Sequence, residues 1–364
     1  MNPQIEFCPN QACPDRGKVG TGNIVSHSQK EKRCRCKTCG KTFSVTRGTA
    51  LYGLKTSHET VERVVTLLAH GCPVQAVVAA YGLDERTVRS WLLKAGSHCE
   101  QVHDHLVGKH PHNLGQVQAD EIKVKTQRGA IWMAMAIVVV TRLWVGGQIS
   151  PTRDKTLLAA LVERIRNMAL CRPLLLAVDG LPGYVDVFRK AFRTPLHSGK
   201  RGRPRLIAWA DIHIVQVIKR RTADGLTVER RIAQGHPDAI EGLLQRSQGG
   251  GVINTAFIER LNATFRQSLA PLARRTRGPA RQTKTLQSGM FLVGTVYNLC
   301  TYHQSLRLKL WITSSRYRWV KRTPAMAAEL SDHCWSVGEL LTFKVPSSPF
   351  VPPKRRGRKP KPRI

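Results

Sequence analysis

Two groups of side chains in this sequence have the types and spacing to hold metal ions. The first is Cys8-x4-Cys13 followed by Cys34-Arg-Cys36-Lys-Thr-Cys39-Gly40. Two cysteine pairs bracketing a glycine-containing loop, the second ending in a Cys-x2-Cys-Gly knuckle, suit a tetrahedral thiolate site for structural zinc. Zinc takes four ligands and five cysteines are on offer. A two-residue gap lets both thiolates of a knuckle turn inward, which selects Cys8, Cys13, Cys36 and Cys39 and leaves Cys34 as the spare. A redox Cys-x2-Cys is the alternative, but no βαβ pattern surrounds it. The second group is three carboxylates far apart in the chain, Asp120, Asp179 and Glu259. Oxygen-only ligands favour Mg²⁺ or Mn²⁺ over zinc. A pair of such ions about 3.5–4 Å apart clamps the attacking and leaving oxygens of a phosphodiester.

The elements around these acids account for their selection. Residues 117–124 alternate as a strand, placing Asp120 on one face with Ile122 and Val124 and Glu121 on the other with Lys123 and Lys125. Residues 131–141 and 143–149 read as two further strands, and 151–168 as an amphipathic helix. The run Leu174-Leu-Leu-Ala-Val178 is apolar throughout, as in a strand buried on both faces, and leads directly into Asp179-Gly180. Ligands gather at the carboxyl ends of such strands. Residues 184–192 are helical again, and 212–219 with 226–232 form a hairpin over Asp224-Gly225. After a short helix over 237–245 and a run of glycines, Asn254 or Thr255 caps a helix. Its stripe is Ile258, Leu261, Phe265 and Leu269, and its shoulder carries Glu259, Asn262 and Arg266. A last helix covers 285–303. This order, with acids on the first strand, the fourth strand and a late helix, points to an RNase H-like core. Twelve acids lie between 120 and 260, so Asp211 at a strand start and Asp186 remain rivals.

Charge narrows the partner. Lys and Arg total 58 against 24 acids, a net +34 over 364 residues. That excess repels itself unless a polyanion is bound, and its spread along the chain fits a long nucleic-acid track. The longest apolar run, 131–140, is too short to span a membrane, and the amino terminus has no signal-peptide pattern. The expectation is a soluble, cytoplasmic, nucleoid-associated protein with reduced cysteines and no membrane partner.

Residues 57–95 read as three helices. Aligning Gly82 with the turn of a helix-turn-helix buries Val77, Tyr81, Leu83, Val88 and Trp91. It exposes Arg86, Thr87, Arg89, Ser90 and Lys94, types that reach base edges and phosphates. Residues 96–115 read as an exposed connector despite five histidines. The loop Lys200-Arg-Gly-Arg-Pro-Arg205 offers Arg201 and Arg203 in an AT-hook-like setting. The acid-free tail offers Arg356 and Arg358 to an A·T-rich minor groove. The organisation expected is multidomain: a zinc ribbon over 1–50, an all-α helix-turn-helix over 57–96, and an α/β catalytic core over 116–306. An extension over 307–345 and a basic disordered tail over 346–364 follow.

The chain resembles bacterial insertion-sequence transposases of the insertion-sequence-one type, in the DDE superfamily. The resemblance runs through Arg35-Cys-Lys-Thr-Cys-Gly-Lys-Thr-Phe43, Gln118-Ala-Asp-Glu-Ile122, Val178-Asp-Gly-Leu181 and Phe257-Ile-Glu-Arg-Leu-Asn262. It continues through Tyr297-Asn298, His303-Gln-Ser-Leu306 and Thr323-Pro-Ala-Met-Ala-Ala328. It implies that Asp120, Asp179 and Glu259 form the catalytic triad around two Mg²⁺ or Mn²⁺ ions. It implies binding of double-stranded DNA at element ends and target, cleavage, 3′-hydroxyl strand transfer, and action as a homo-oligomer. A non-enzymatic DNA-binding regulator, or a nuclease or resolvase on the same core, are the competing readings.

Overall fold

The computed structural model describes residues 2–352 except 128, 198, 200, 201, 224 and 277. The chain divides into two compact units. One takes the described residues up to Lys55 with those from Thr342 to residue 352, and the other runs from Thr56 to Leu341. In the first, β1 (Ile24–Ser28), β2 (Arg33–Cys36) and β3 (Thr42–Ser44) form an antiparallel sheet in that order, β3 being the expected closing strand. Its core is Ile24, Phe43 and buried cysteines. So small a core needs a staple. Lys344 pairs with Glu6, and the left-handed Gly17 (φ 73°) lets Ser347 approach so closely that a Cβ would meet its carbonyl at 2.6 Å. Lys344 and Ser347 thus pack with the amino-terminal residues of this unit.

The second unit opens with α1 (His58–Ala69), α2 (Val74–Tyr81) and α3 (Glu85–Leu106). Ser57 caps α1, Gly82 ends α2 in the left-handed region, and Asp84 caps α3 through the backbone of Arg86 and Thr87. A sheet and its helices follow: β4 (Gln116–Thr126), β5 (Gly129–Val138), β6 (Trp144–Ser150), α4 (Lys155–Met168), β7 (Leu174–Asp179) and α5 (Pro182–Ala191). Then come β8 (Arg193–Leu196), β9 (Arg205–Ala208), β10 (Ile212–Thr222), β11 (Gly225–Gln234), α6 (Pro237–Gln248), α7 (Ala256–Ser268) and α8 (Thr283–Leu299). The chain closes with β12 (His303–Trp311), β13 (Tyr317–Arg322), α9 (Pro324–Ala327) and α10 (Val337–Thr342).

Six strands make one mixed sheet in the order β11-β10-β7-β4-β5-β6. β4, β5 and β6 run antiparallel in succession, β7 is parallel to β4, β10 is parallel to β7, and β11 returns antiparallel. The apolar run of β7 divides between two cores. Leu174, Leu176 and Val178 pack with the α4 and α5 side chains, while Leu175 and Ala177 pack with α6. This is the two-faced burial expected of a central parallel strand. α8 is buried almost all round from Ser288 to Leu299.

The stretch from 96 to 115 is not an exposed linker. α3 continues to Leu106 and packs along α8, where Gly96 lets the helices touch: a Cβ there would lie 2.2 Å from the Ser288 carbonyl. His98 and His103 are buried and bonded to backbone carbonyls of Leu340 and Trp144. Their burial as hydrogen-bonded core residues, rather than solvated ones, is what the polar composition of the segment concealed. Two hairpins also escaped the sequence reading, β8–β9 beside the basic loop and β12–β13 in the extension. Asp224 of the expected turn lies outside the described residues. Among those residues no helix is long and apolar enough to cross a membrane.

Candidate functional site

The β4–β7 ladder ends at Gln118 and Ala177, and two residues beyond on each strand stand Asp120 and Asp179. Backbone register therefore sets the two acids level at the carboxyl end of β7. Ligand oxygens of Asp120, Glu121 and Asp179 all lie within 4.8 Å of one another. Glu121 is the residue that the alternation argument set aside. It leaves the opposite face of β4 from Asp120, buried beside Tyr184 of α5, yet one of its carboxylate oxygens comes within reach of the other two acids past the end of the ladder. Arg153, just before α4, holds it there. The guanidinium donates to Glu121 Oε2 at 2.7 and 3.0 Å and to Asp179 Oδ2 at 2.9 Å. No sequence signal separates Arg153 from the other bases, whereas the Asp120-Glu121 doublet was visible.

Glu259 stands outside this close group. α7 presents it toward β10, where Lys219 and, at 2.7 Å, the Thr255 hydroxyl donate to its Oε1. Thr255 is the N-cap residue, yet its hydroxyl goes to Glu259, and it is Asn254 Oδ1 that accepts from the first helical amide, Ala256, at 3.0 Å. The next two amides are capped from β4. Gln118, fully buried, accepts from the Phe257 and Ile258 amides at 2.9 and 3.0 Å and donates to the Asn254 carbonyl at 2.8 Å. Ile258, Leu261 and Phe265 form the buried stripe as expected, and Leu269 is half-buried. Asn262 is buried too, and its Nδ2 donates to Asp120 Oδ2 at 2.8 Å. Arg266 is half-buried, in the fields of Arg274 and Asp120.

The rivals are placed elsewhere. β10 is level with β7 at Ile212 and Leu174, so Asp211 lies at the opposite end of the sheet from Asp179. Asp186 is on α5 and pairs with Lys155 at 2.9 Å.

Each acid but one has a cation. Arg153 serves Glu121 and Asp179, and Lys219 serves Glu259. Asp120 receives, among the described residues, only neutral donors: Asn262 and the Glu121 amide. Burial, reinforced by the charges of Glu121, Asp179 and Glu259, pushes its carboxyl up to about 7. Burial also raises Glu121, against the pull of Arg153. Glu259 is held below the usual range, because Lys219 and Thr255 outweigh its partial burial. This is a site with more negative charge than its own cations neutralise.

The four selected cysteines come together as chosen. Their sulphurs lie within 4.8 Å of one another, with Cys8 to Cys39 at 3.7 Å and Cys13 to Cys36 at 3.8 Å. The edge of a thiolate tetrahedron with Zn–S bonds of 2.3 Å is about 3.8 Å. Cys34 takes no place in the group, although alternation along β2 leaves it buried on the same face as Cys36. Burial raises the Cys8 and Cys13 thiols. At Cys39 burial is outweighed by hydrogen bonds from the Lys41 backbone and the Asn10 side chain, which bring it down to about 7.

Arg86, Arg89, Ser90 and Lys94 are exposed on α3 and Thr87 is half-buried, while Val77, Val88 and Trp91 beneath them are buried, with Tyr81 and Leu83 half-buried. Arg89 pairs with Glu85 on the same surface. Arg203 is exposed near the start of β9, and Arg201, Arg356 and Arg358 lie outside the described residues. No protein-family model matches the chain, and no curated protein matches it.

Two predictions follow from this geometry. Gln118→Leu strands two helix amides in a buried setting and is expected to cost about 2–4 kcal/mol in urea unfolding; unchanged stability contradicts the capping role. Asp120 carries a folded-state carboxyl raised from 3.8 to about 7, so folding binds a proton and stability falls as pH rises across that window. Asp120→Asn, with no divalent ion added, should therefore melt on the order of 5 °C higher than wild type at pH 8 and not at pH 4. An equal effect at both values contradicts the assignment.

Proposed function

We propose that the protein is a DDE-type DNA transposase with an RNase H-like core, an amino-terminal zinc ribbon and a helix-turn-helix. The observation that carries the reading is the level placement of Asp120 and Asp179 at the end of adjacent parallel strands. The sheet supports it: an antiparallel meander of three strands, with the fourth and fifth parallel to the first, is the RNase H order. The excess negative charge at these acids is what divalent cations relieve, and their all-oxygen donor set suits Mg²⁺ or Mn²⁺. Two ions bound there would activate the attacking oxygen and stabilise the leaving one.

The chain's own residues have separable tasks. Asp120 and Asp179 hold the cations, and Asn262 fixes the Asp120 carboxylate toward them. Arg153 fixes Asp179 and neutralises Glu121, which we assign as a structural partner of Arg153. Glu259 is the third ligand, carried on the helix that Gln118 docks against β4, with its charge already felt at Asp120. The exposed face of α3, with Arg86, Thr87, Arg89, Ser90 and Lys94, enters a major groove at the element ends. Arg203, Arg266 and the basic carboxyl-terminal residues take phosphates, and two ends are brought together by a homo-oligomer. The four-cysteine group holds zinc as the staple that its small core requires.

One zinc per chain is the expected result of elemental analysis. Serine at Cys8, Cys13, Cys36 or Cys39 should abolish it and Cys34→Ser should not; retention by the Cys36 variant defeats the assignment. With Mg²⁺ or Mn²⁺ and labelled duplexes carrying the sequences that flank its coding region, wild-type protein should cleave and join. Asp179→Asn and Glu259→Gln should lose about a hundredfold or more while still binding DNA. Glu121→Gln should lose less than either. Joining by Asp179→Asn at the wild-type rate overturns the mechanism, and cleavage without joining favours a nuclease.

A further inference from the structure

The β12–β13 hairpin has no part in the chemistry above, yet its composition is unusual. From His303 to Arg322 it holds six basic residues and no acid. Register places Lys309 opposite Trp319 and Trp311 opposite Tyr317. Side chains two apart on a strand share a face. Arg307, Lys309 and Trp311 therefore lie on one face with Tyr317, Trp319 and Lys321. The rings form a row, Trp311 to Tyr317 at 5.3 Å and Tyr317 to Trp319 at 5.9 Å between centroids. Cations interleave with them: Arg307 sits 4.1 Å from the Trp319 centroid, and Lys309 sits 4.0 Å from Trp311 and 4.1 Å from Tyr317. The three rings nonetheless stay 45–54% exposed.

We propose that this face binds single-stranded nucleic acid, bases stacking on the aromatic row and phosphates meeting the interleaved cations. A row of half-exposed rings is costly to keep in water and offers flat π-faces that only unpaired bases can reach. The cations beside each ring meet the backbone charge that accompanies every base. A duplex engages the cations but hides its base faces. A second copy of this chain would bring a like-charged hairpin against this one, which the six basic residues oppose. None of these residues contributes to the acid site described above, so the test needs no catalysis.

The test is fluorescence anisotropy of the full-length protein with labelled oligothymidylate of about 15 nucleotides and with a duplex of equal length, no divalent ion being added. Trp311→Ala with Trp319→Ala should weaken oligothymidylate binding by about tenfold or more and leave duplex affinity nearly unchanged. Phenylalanine at both positions should restore most of the loss. Both sites are exposed, and thermal melting checks that the fold is intact. The proposal is overturned if the alanine variant binds oligothymidylate as wild type does, or if both affinities fall equally. It is also overturned if light scattering shows a changed oligomeric state with single-strand binding intact, which would make the face a self-association surface.

Discussion

The centre depends on one buried carboxamide. Gln118 leaves β4 on the face opposite the α4 and α5 core and closes the amino end of α7, whose own N-cap hydroxyl is spent on Glu259. Uncapped amides in a dry setting cost more than the net gain of an ordinary hydrogen bond, so the register of α7 on β4 is tightly held. From that register the rest follows. One turn further, Asn262 meets Asp120, two residues along the same strand face from Gln118. Glu259 is presented between them toward the end of β10. Buried hydrogen-bonded side chains here do the work of alignment, and the apolar stripe of Ile258, Leu261 and Phe265 supplies adhesion.

Electrostatics completes the division of labour. Four carboxylates stand near the end of the central strands, and self-repulsion on that scale is tolerable only when cations intervene. Arg153 and Lys219 serve three of the four. Asp120 is left with neutral donors, and it is the acid held closest to a proton. The unmet charge is concentrated on the residue at the centre of the group, as a cation site requires. The same logic applies to the cysteine unit, where four crowded sulphurs in a minimal core are a liability until something binds them together.

The sheet was readable in the sequence because its strands carry strong signals. The two-faced run of β7 and the alternation of β4 gave the positions of Asp179 and Asp120 to the residue. The cysteine choice succeeded for a different reason, the two-residue gap of the knuckle that turns Cys36 and Cys39 inward together. What local pattern did not reveal was tertiary. Alternation assigns Glu121 to the far face correctly, but says nothing of a ladder that ends two residues before Asp120. Gln118 and Asn262 look like ordinary polar residues until the helix and strand are brought together. The histidines of α3 resembled a solvated connector because their hydrogen-bond partners lie more than forty residues away.

The central claim is that Asp120 and Asp179 are a divalent cation site rather than an acid cluster stapled by arginine. Anomalous diffraction from crystals soaked in Mn²⁺ tests it most directly. The account predicts anomalous density between these two carboxylates, with Asn262 still on Asp120. Crystals at saturating Mn²⁺ with no density there, and with Arg153 alone bridging Glu121 and Asp179, would contradict it.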